Sequence, residues 1–71
     1  MTSARELRRA ARSLLAEADV PSPQVDADLL MAHVLQVTRS TVALAGEVSA
    51  EQAEDYEALV RRRAIREPLQ H

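Results

Sequence analysis

The sequence is most apolar over Leu29–Leu35, which reads LLMAHVL. An α-helix that is apolar almost all round is normally covered by neighbours on several sides. Ser22 precedes Pro23, and proline suits the first position of a helix because the N–H it lacks has no helical acceptor there. We therefore predict a central helix from Pro23 to about Gln36, around which the other helices pack.

The segment before the central helix carries a narrower apolar stripe. Ser3 and Glu6 occupy capping-box positions, and Pro21 prevents a helix from continuing through the connector. We predict a first helix over Ala4–Ala18. Its apolar stripe comprises Leu7, Ala10, Ala11, Leu14, Leu15 and Ala18. Arginines lie mostly on the opposite side, at Arg5, Arg8, Arg9 and Arg12.

The last helix has an equally clear start. Ser49 and Gln52 form a second capping box, and the predicted helix runs from Ala50 to Ile65 or Arg66. Its predicted buried stripe comprises Ala53, Tyr56, Leu59, Val60 and Ala64.

A short third helix is predicted over Ser40–Ala45. The apolar side chains that it offers to the core are Val42, Leu44 and Ala45. Gly46 is expected to end this helix in the left-handed conformation that is common after a last helical turn. Whether Thr38–Gly46 forms one helix or two turns stays open. The predicted fold class is all-α, a small bundle of four to five short helices.

The composition argues against several classes of function. The chain has one Gly and no Cys, so it lacks the glycines of a nucleotide loop and the thiols of a disulfide or Cys-ligated metal site. The net charge of −2 argues against general nucleic-acid binding, which needs a cationic surplus. No apolar run approaches the roughly 18 residues of a membrane span, and no signal peptide is evident. A cytoplasmic protein is therefore expected.

Three polar side chains of the central helix are candidates for chemistry. His33 is a candidate ligand or general base, but a partly buried His at a helix seam is the favoured interpretation. Asp26 and Asp28 are two residues apart, so they point to different faces and cannot share one substrate site. Their place near the helix start favours dipole complementarity, and Asp26 is also placed to hydrogen-bond a neighbouring segment.

Cationic side chains crowd the end of the last helix. Arg62 and Arg66 are four residues apart and share a face, which makes them candidate partner-binding residues. A protein partner or a further domain is favoured over nucleic acid. The alternative interpretation is a solvated helix end that pairs locally with Glu57 and Glu67.

Three segments together resemble one protein family, and they are Asp26–Leu35, Arg39–Ala45 and Leu59–His71. In order and spacing they are similar to the N-terminal domain of HemK-type release factor glutamine methyltransferases. The closing REPLQH, residues 66–71, is the most specific part. In that family it leads from the helical domain into a hairpin before the methyltransferase domain.

The resemblance implies a role in translation termination. Members of this family use S-adenosylmethionine to methylate the side-chain amide nitrogen of the Gln in the Gly-Gly-Gln motif of release factors. That chemistry belongs to an α/β domain with a Gly-rich loop and an Asn-Pro-Pro-Tyr motif, and neither occurs in this sequence. The resemblance therefore assigns no catalytic, cofactor-binding or metal-binding residue to the chain.

The resemblance also implies a domain organisation. Residues 1–66 are expected to form a helical substrate-docking domain, and residues 67–71 to begin a linker to a methyltransferase domain. The release factor and that domain are the expected partners, without direct contact to nucleic acid or membrane. An alternative of a different class is a free-standing helical interaction module, complete at 71 residues, which would self-associate.

Overall fold

The computed structural model describes residues 2–65 and is mostly helical over that range. Its elements, in chain order, are β1 Thr2–Ser3, α1 Ala4–Glu17, α2 Pro23–Leu35, α3 Arg39–Val42, β2 Glu47–Val48 and α4 Ala50–Ala64. The predicted all-α bundle is therefore confirmed, with four helices among the described residues. Arg66 and the predicted linker at 67–71 lie outside them.

Helix α2 occupies the centre of the bundle, as its apolar circumference predicts. It packs against α1, α3 and α4, while α1 and α4 also contact each other. Ser22 stands at the N-cap and Pro23 at the start of the helix, although the Ser22 side chain makes no capping bond. Gln36 ends the helix in the left-handed region, with φ 59°. The largest fully buried side chains come from five segments and are Leu15, Met31, Val42, Val48 and Tyr56.

Helix α1 begins where its cap predicts and ends one residue early. Ser3 Oγ accepts from the backbone N–H of Glu6 at 3.3 Å. The buried members of its predicted stripe are Leu7, Ala11 and Leu15, and Ala4 is buried in addition. Ala10 and Leu14 belong to the predicted stripe but are exposed, because they line an open groove of about 230 Å³ between α1 and α4.

The segment after α2 departs from the prediction in three ways. The helix ends at Val42 rather than Ala45, and Leu44 is 84% exposed instead of buried. Gly46 does not adopt a positive φ, and its carbonyl instead accepts from the N–H of Ala4 at 2.8 Å. The chain has to leave the helix early in order to reach the start of α1.

A short antiparallel pairing of β1 with β2 follows from this path. Thr2 stands opposite Val48, and Ser3 stands opposite Glu47. The sequence does not predict these strands, since two residues are too few to show the alternation that marks a strand. The pairing delivers Val48 to the core, where it is buried.

Helix α4 begins with the predicted capping box in full. The N–H of Gln52 donates to Ser49 Oγ at 3.0 Å, and the N–H of Ser49 donates to Gln52 Oε1 at 2.9 Å. In its predicted stripe Ala53, Tyr56 and Val60 are buried, while Leu59 and Ala64 are partly buried against the core. None of the helices within residues 2–65 has the length and apolarity that crossing a bilayer requires.

Candidate docking surface

Asp26 and Asp28 extend from α2 towards different neighbours, as their spacing predicts. The Nε–H of Arg63 in α4 donates to Asp26 Oδ2 at 2.9 Å, and these side chains are 20% and 9% exposed. The Nη1–H of Arg8 in α1 donates to Asp28 Oδ1 at 3.3 Å. The predicted bond from Asp26 to a neighbouring segment is confirmed. Each carboxylate therefore ties α2 to one flanking helix.

Tyr56 adds a second polar tie between α4 and α2. Its hydroxyl donates to the carbonyl oxygen of Ala27 at 3.0 Å inside the core. Burial raises the pKa of the Tyr56 phenol above its ordinary value, and the nearby charge of Asp28 raises it further. A phenol held protonated in this way serves as a structural donor rather than as a base.

The candidate Arg62 lines a cleft between α2 and α4. This α2–α4 cleft has a volume of about 400 Å³. Its lining residues are His33, Val34, Gln36, Asp55, Ala58, Leu59 and Arg62. His33 is exposed there, so the prediction of a partly buried seam His is wrong. The cleft combines apolar side chains with an imidazole, an amide and both signs of charge, which suits the docking of a polypeptide segment.

The three consecutive arginines near the end of α4 lie in three different environments. Arg62 is exposed at the α2–α4 cleft, whereas Arg63 reaches Asp26. Arg61 lines the groove between α1 and α4 together with Glu57. The second candidate, Arg66, lies outside the described residues, as does Glu67.

A second cationic surface has no role assigned from the sequence. The α1 arginine face, as we call it, consists of Arg5, Arg8, Arg9 and Arg12, and it borders an open cleft of about 190 Å³ between α1 and α2. The rest of that cleft is lined by Gln24, Ala27 and Asp28. The spacing of these arginines could have predicted the surface, because residues three and four apart share one helix face.

A comparison with known families identifies the domain. The PrmC N-terminal domain family matches residues 6–71. The chain belongs to the PrmC N-terminal domain family. This finding confirms the family that the three sequence segments resemble.

Curated relatives of this PrmC N-terminal domain carry one name. The release factor glutamine methyltransferase of Mycolicibacterium smegmatis is 42% identical over 71 residues, which cover 100% of this chain and 25% of that protein. The release factor glutamine methyltransferase of Deinococcus radiodurans is 45% identical over 71 residues, with 94% of this chain and 25% of that protein covered. The chain thus spans about a quarter of the length of both relatives. No solved structure gives a significant match.

The one glycine of this PrmC N-terminal domain stands in open surroundings. In dinucleotide-binding α/β folds a glycine stands where the backbone approaches the ligand closely. The chain has one glycine, Gly46, and a Cβ built there would meet nothing within 4 Å, so the position is open rather than a close approach. Groups of three or more potential metal ligands are likewise not found within residues 2–65.

Proposed function

We propose that this chain is the substrate-docking part of a protein-glutamine N5-methyltransferase. In this proposal residues 1–66 hold a translation release factor, and residues 67–71 lead to a methyltransferase domain. That domain would use S-adenosylmethionine to methylate the Gln of the Gly-Gly-Gln motif. The 71-residue chain contributes binding energy and no catalytic group of its own.

The observation that carries the proposal is the family match over residues 6–71. Two relatives of at least 42% identity, each about four times as long as the region aligned, are named release factor glutamine methyltransferases. A domain that makes up a quarter of such a protein and offers open clefts suits a docking role.

Docking at a distance from the reacting atoms has a clear physical purpose. An amide nitrogen is a weak nucleophile, so the enzyme must hold the glutamine nitrogen close to the methyl group and aligned with it for transfer. Binding energy from a remote contact can be spent on that orientation. The α2–α4 cleft with Arg62 is the contact that we propose, and Arg66 is its second proposed cation.

The experiment measures binding of the 71-residue chain, labelled with a fluorophore, to a purified bacterial release factor by anisotropy. The parent chain is expected to bind. Arg62→Glu should weaken the binding by about fivefold to tenfold, because it reverses a charge at the proposed contact. Arg66→Glu should act in the same direction. A separate calorimetric titration of the chain with S-adenosylmethionine should give no binding heat.

The matched control is Arg61→Glu, which makes the same charge change one residue earlier but lies at the α1–α4 groove. It should change the affinity by no more than about twofold. A parent chain that does not bind the release factor would contradict the docking role. Equal effects of Arg61→Glu and Arg62→Glu would refute the place of Arg62, and measurable affinity for S-adenosylmethionine would refute the non-catalytic role.

A further inference from the structure

The α1 arginine face concentrates positive charge on a chain that is acidic overall. Its arginines follow one another at spacings of three, one and three residues, so they project from one side of the helix. The chain carries a net charge of −2, and the face is therefore a local feature rather than part of a general cationic surplus. Arg5, Arg9 and Arg12 are exposed.

Arg8 gives this face a fixed anchor. Its guanidinium donates through Nη1 to Asp28, and the side chain is only 19% exposed. The Nε–H of Arg8 is buried and has no acceptor among residues 2–65. A buried donor without a partner is unfavourable, and because this nitrogen is inaccessible, an incoming acceptor would meet the exposed neighbouring arginines instead. The three neighbouring guanidinium groups stand beside this anchored arginine at the same cleft.

The charge balance of the face calls for an anionic partner. Asp28 pairs with one of the four guanidinium groups, which leaves about three that an anionic partner could contact. Every cation of the chain except His is Arg. Guanidinium groups bind carboxylates through two parallel hydrogen bonds, which a lysine ammonium cannot do.

The partner that fits is a protein segment rather than a nucleic acid. Binding to single-stranded nucleic acid normally adds aromatic side chains on which bases stack. The one aromatic residue of this chain, Tyr56, is buried in the core. Four arginines on about two turns of helix match carboxylates that are themselves repeated every three or four residues along a partner helix.

We propose that the α1 arginine face binds a carboxylate-rich segment of the protein substrate. The identity of that partner rests on the proposed function, whereas the chemistry of the face does not. The face lies along α1 and the start of α2, while the α2–α4 cleft uses the end of α2 and α4. The substrate would therefore contact two separate surfaces of the domain.

The first arm of the test uses a fluorescent helical peptide with Glu at every third and fourth position, together with an analogue in which Gln replaces each Glu. The 71-residue chain should bind the Glu peptide at least about tenfold more tightly than the Gln peptide, and high salt should weaken that binding. The double variant Arg9→Glu/Arg12→Glu should bind the Glu peptide at least about tenfold more weakly than the parent.

Two further variants keep this arm falsifiable. The matched control is Arg39→Glu/Arg61→Glu, which makes the same charge change on exposed residues outside the face and should retain most of the affinity. Arg9→Gln/Arg12→Gln removes charge without adding any, and it should lose binding while its circular dichroism stays that of the parent. Equal binding of both peptides, equal loss in the control, or tighter binding of a single-stranded RNA than of the Glu peptide would overturn the proposal.

The second arm replaces the peptide with a purified release factor. Arg9→Glu/Arg12→Glu should weaken this binding about tenfold, and the Glu peptide should compete with the factor. Unchanged release factor binding by that variant would refute the substrate assignment of the face and leave the proposed function standing. A parent chain that binds the Glu peptide but no release factor would refute the proposed function and leave the acidic-segment site.

Sedimentation of the parent alone should show a monomer. Self-association that the double variant abolishes would overturn the proposal in favour of a second copy of the chain as the occupant of the face.

Discussion

Helices α1 and α4 both flank the central helix α2, but they are held against it in different ways. Both begin directly after a capping serine and both pack against α2. Each also sends one arginine to an aspartate of α2. The two contacts differ in length and surroundings, with 2.9 Å between Arg63 and the mostly buried Asp26 and 3.3 Å between Arg8 and Asp28.

The comparison teaches which helix depends on polar contacts. Helix α4 has two such ties to α2, the Arg63–Asp26 pair and the Tyr56 hydrogen bond to Ala27. Helix α1 has the Arg8–Asp28 pair with α2 and buries the apolar side chains of Ala4, Leu7, Ala11 and Leu15. The outer arginines of α1 are therefore available to another molecule, whereas α4 commits part of its cationic end to the fold.

The largest effect is expected at Asp26. In Asp26→Ala the guanidinium of Arg63 loses a partner in a mostly buried place, and the free energy of unfolding should fall by about 2–3 kcal/mol. Asp28→Ala removes the longer pair, whose carboxylate is 17% rather than 9% exposed, so it should cost less, about 1–2 kcal/mol. Urea denaturation followed by circular dichroism measures both values. If Asp28→Ala proved the more damaging, α1 rather than α4 would be the helix that depends on its ion pair.

Tyr56 offers a second way to test the ties of α4. Tyr56→Phe leaves the ring in the core but removes the hydroxyl that donates to Ala27, which should cost about 1 kcal/mol. The raised pKa adds a pH dependence. Above about pH 10 the phenol ionises in the unfolded chain while it stays protonated in the fold, so the folded state binds more protons and its stability falls as the pH rises.

The composition makes this pH dependence easy to isolate. The chain has no Lys, no Cys and one Tyr, so Tyr56 is the one side chain that titrates near pH 10. Parallel denaturation curves at neutral and alkaline pH should show a loss of stability in the parent that is absent from Tyr56→Phe. The same alkaline loss in both proteins would show that the phenol is not the responsible group.

The sequence predicts local structure well here because local signals decide it. The spacing of apolar residues, the capping serines and Pro23 define α1, α2 and α4 to within about two residues. Leu44, Gly46 and the β1–β2 pairing could not be predicted in the same way. Their conformation depends on where the two ends of the bundle meet, and a two-residue strand leaves no periodic pattern.

The candidate surfaces were predictable only in part, for the same reason. Which arginine of the run Arg61–Arg63 pairs with Asp26 depends on the rotation of α4 against α2, which tertiary packing sets. Arg62 lies at the surface, as a partner-binding candidate must, and its binding role stays a prediction. The arginines of α1 could have been recognised from their spacing alone, but their closeness to Asp28 and Gln24 needed the fold.

The smallest expected effect compares the two helix starts. At α4 the capping box is complete. Ser49→Ala removes the acceptor of the Gln52 N–H, and the free energy of unfolding should fall by about 1 kcal/mol. At α1 the bond from Glu6 to Ser3 is longer, at 3.3 Å, and Ser3 is also held by pairing with β2, so Ser3→Ala should cost about half as much. Ser22→Ala is the control, because Ser22 makes no side-chain capping bond and its loss should be nearly neutral. Equal losses at Ser22 and Ser49 in thermal denaturation would mean that serine acts here through the unfolded chain and not through the caps.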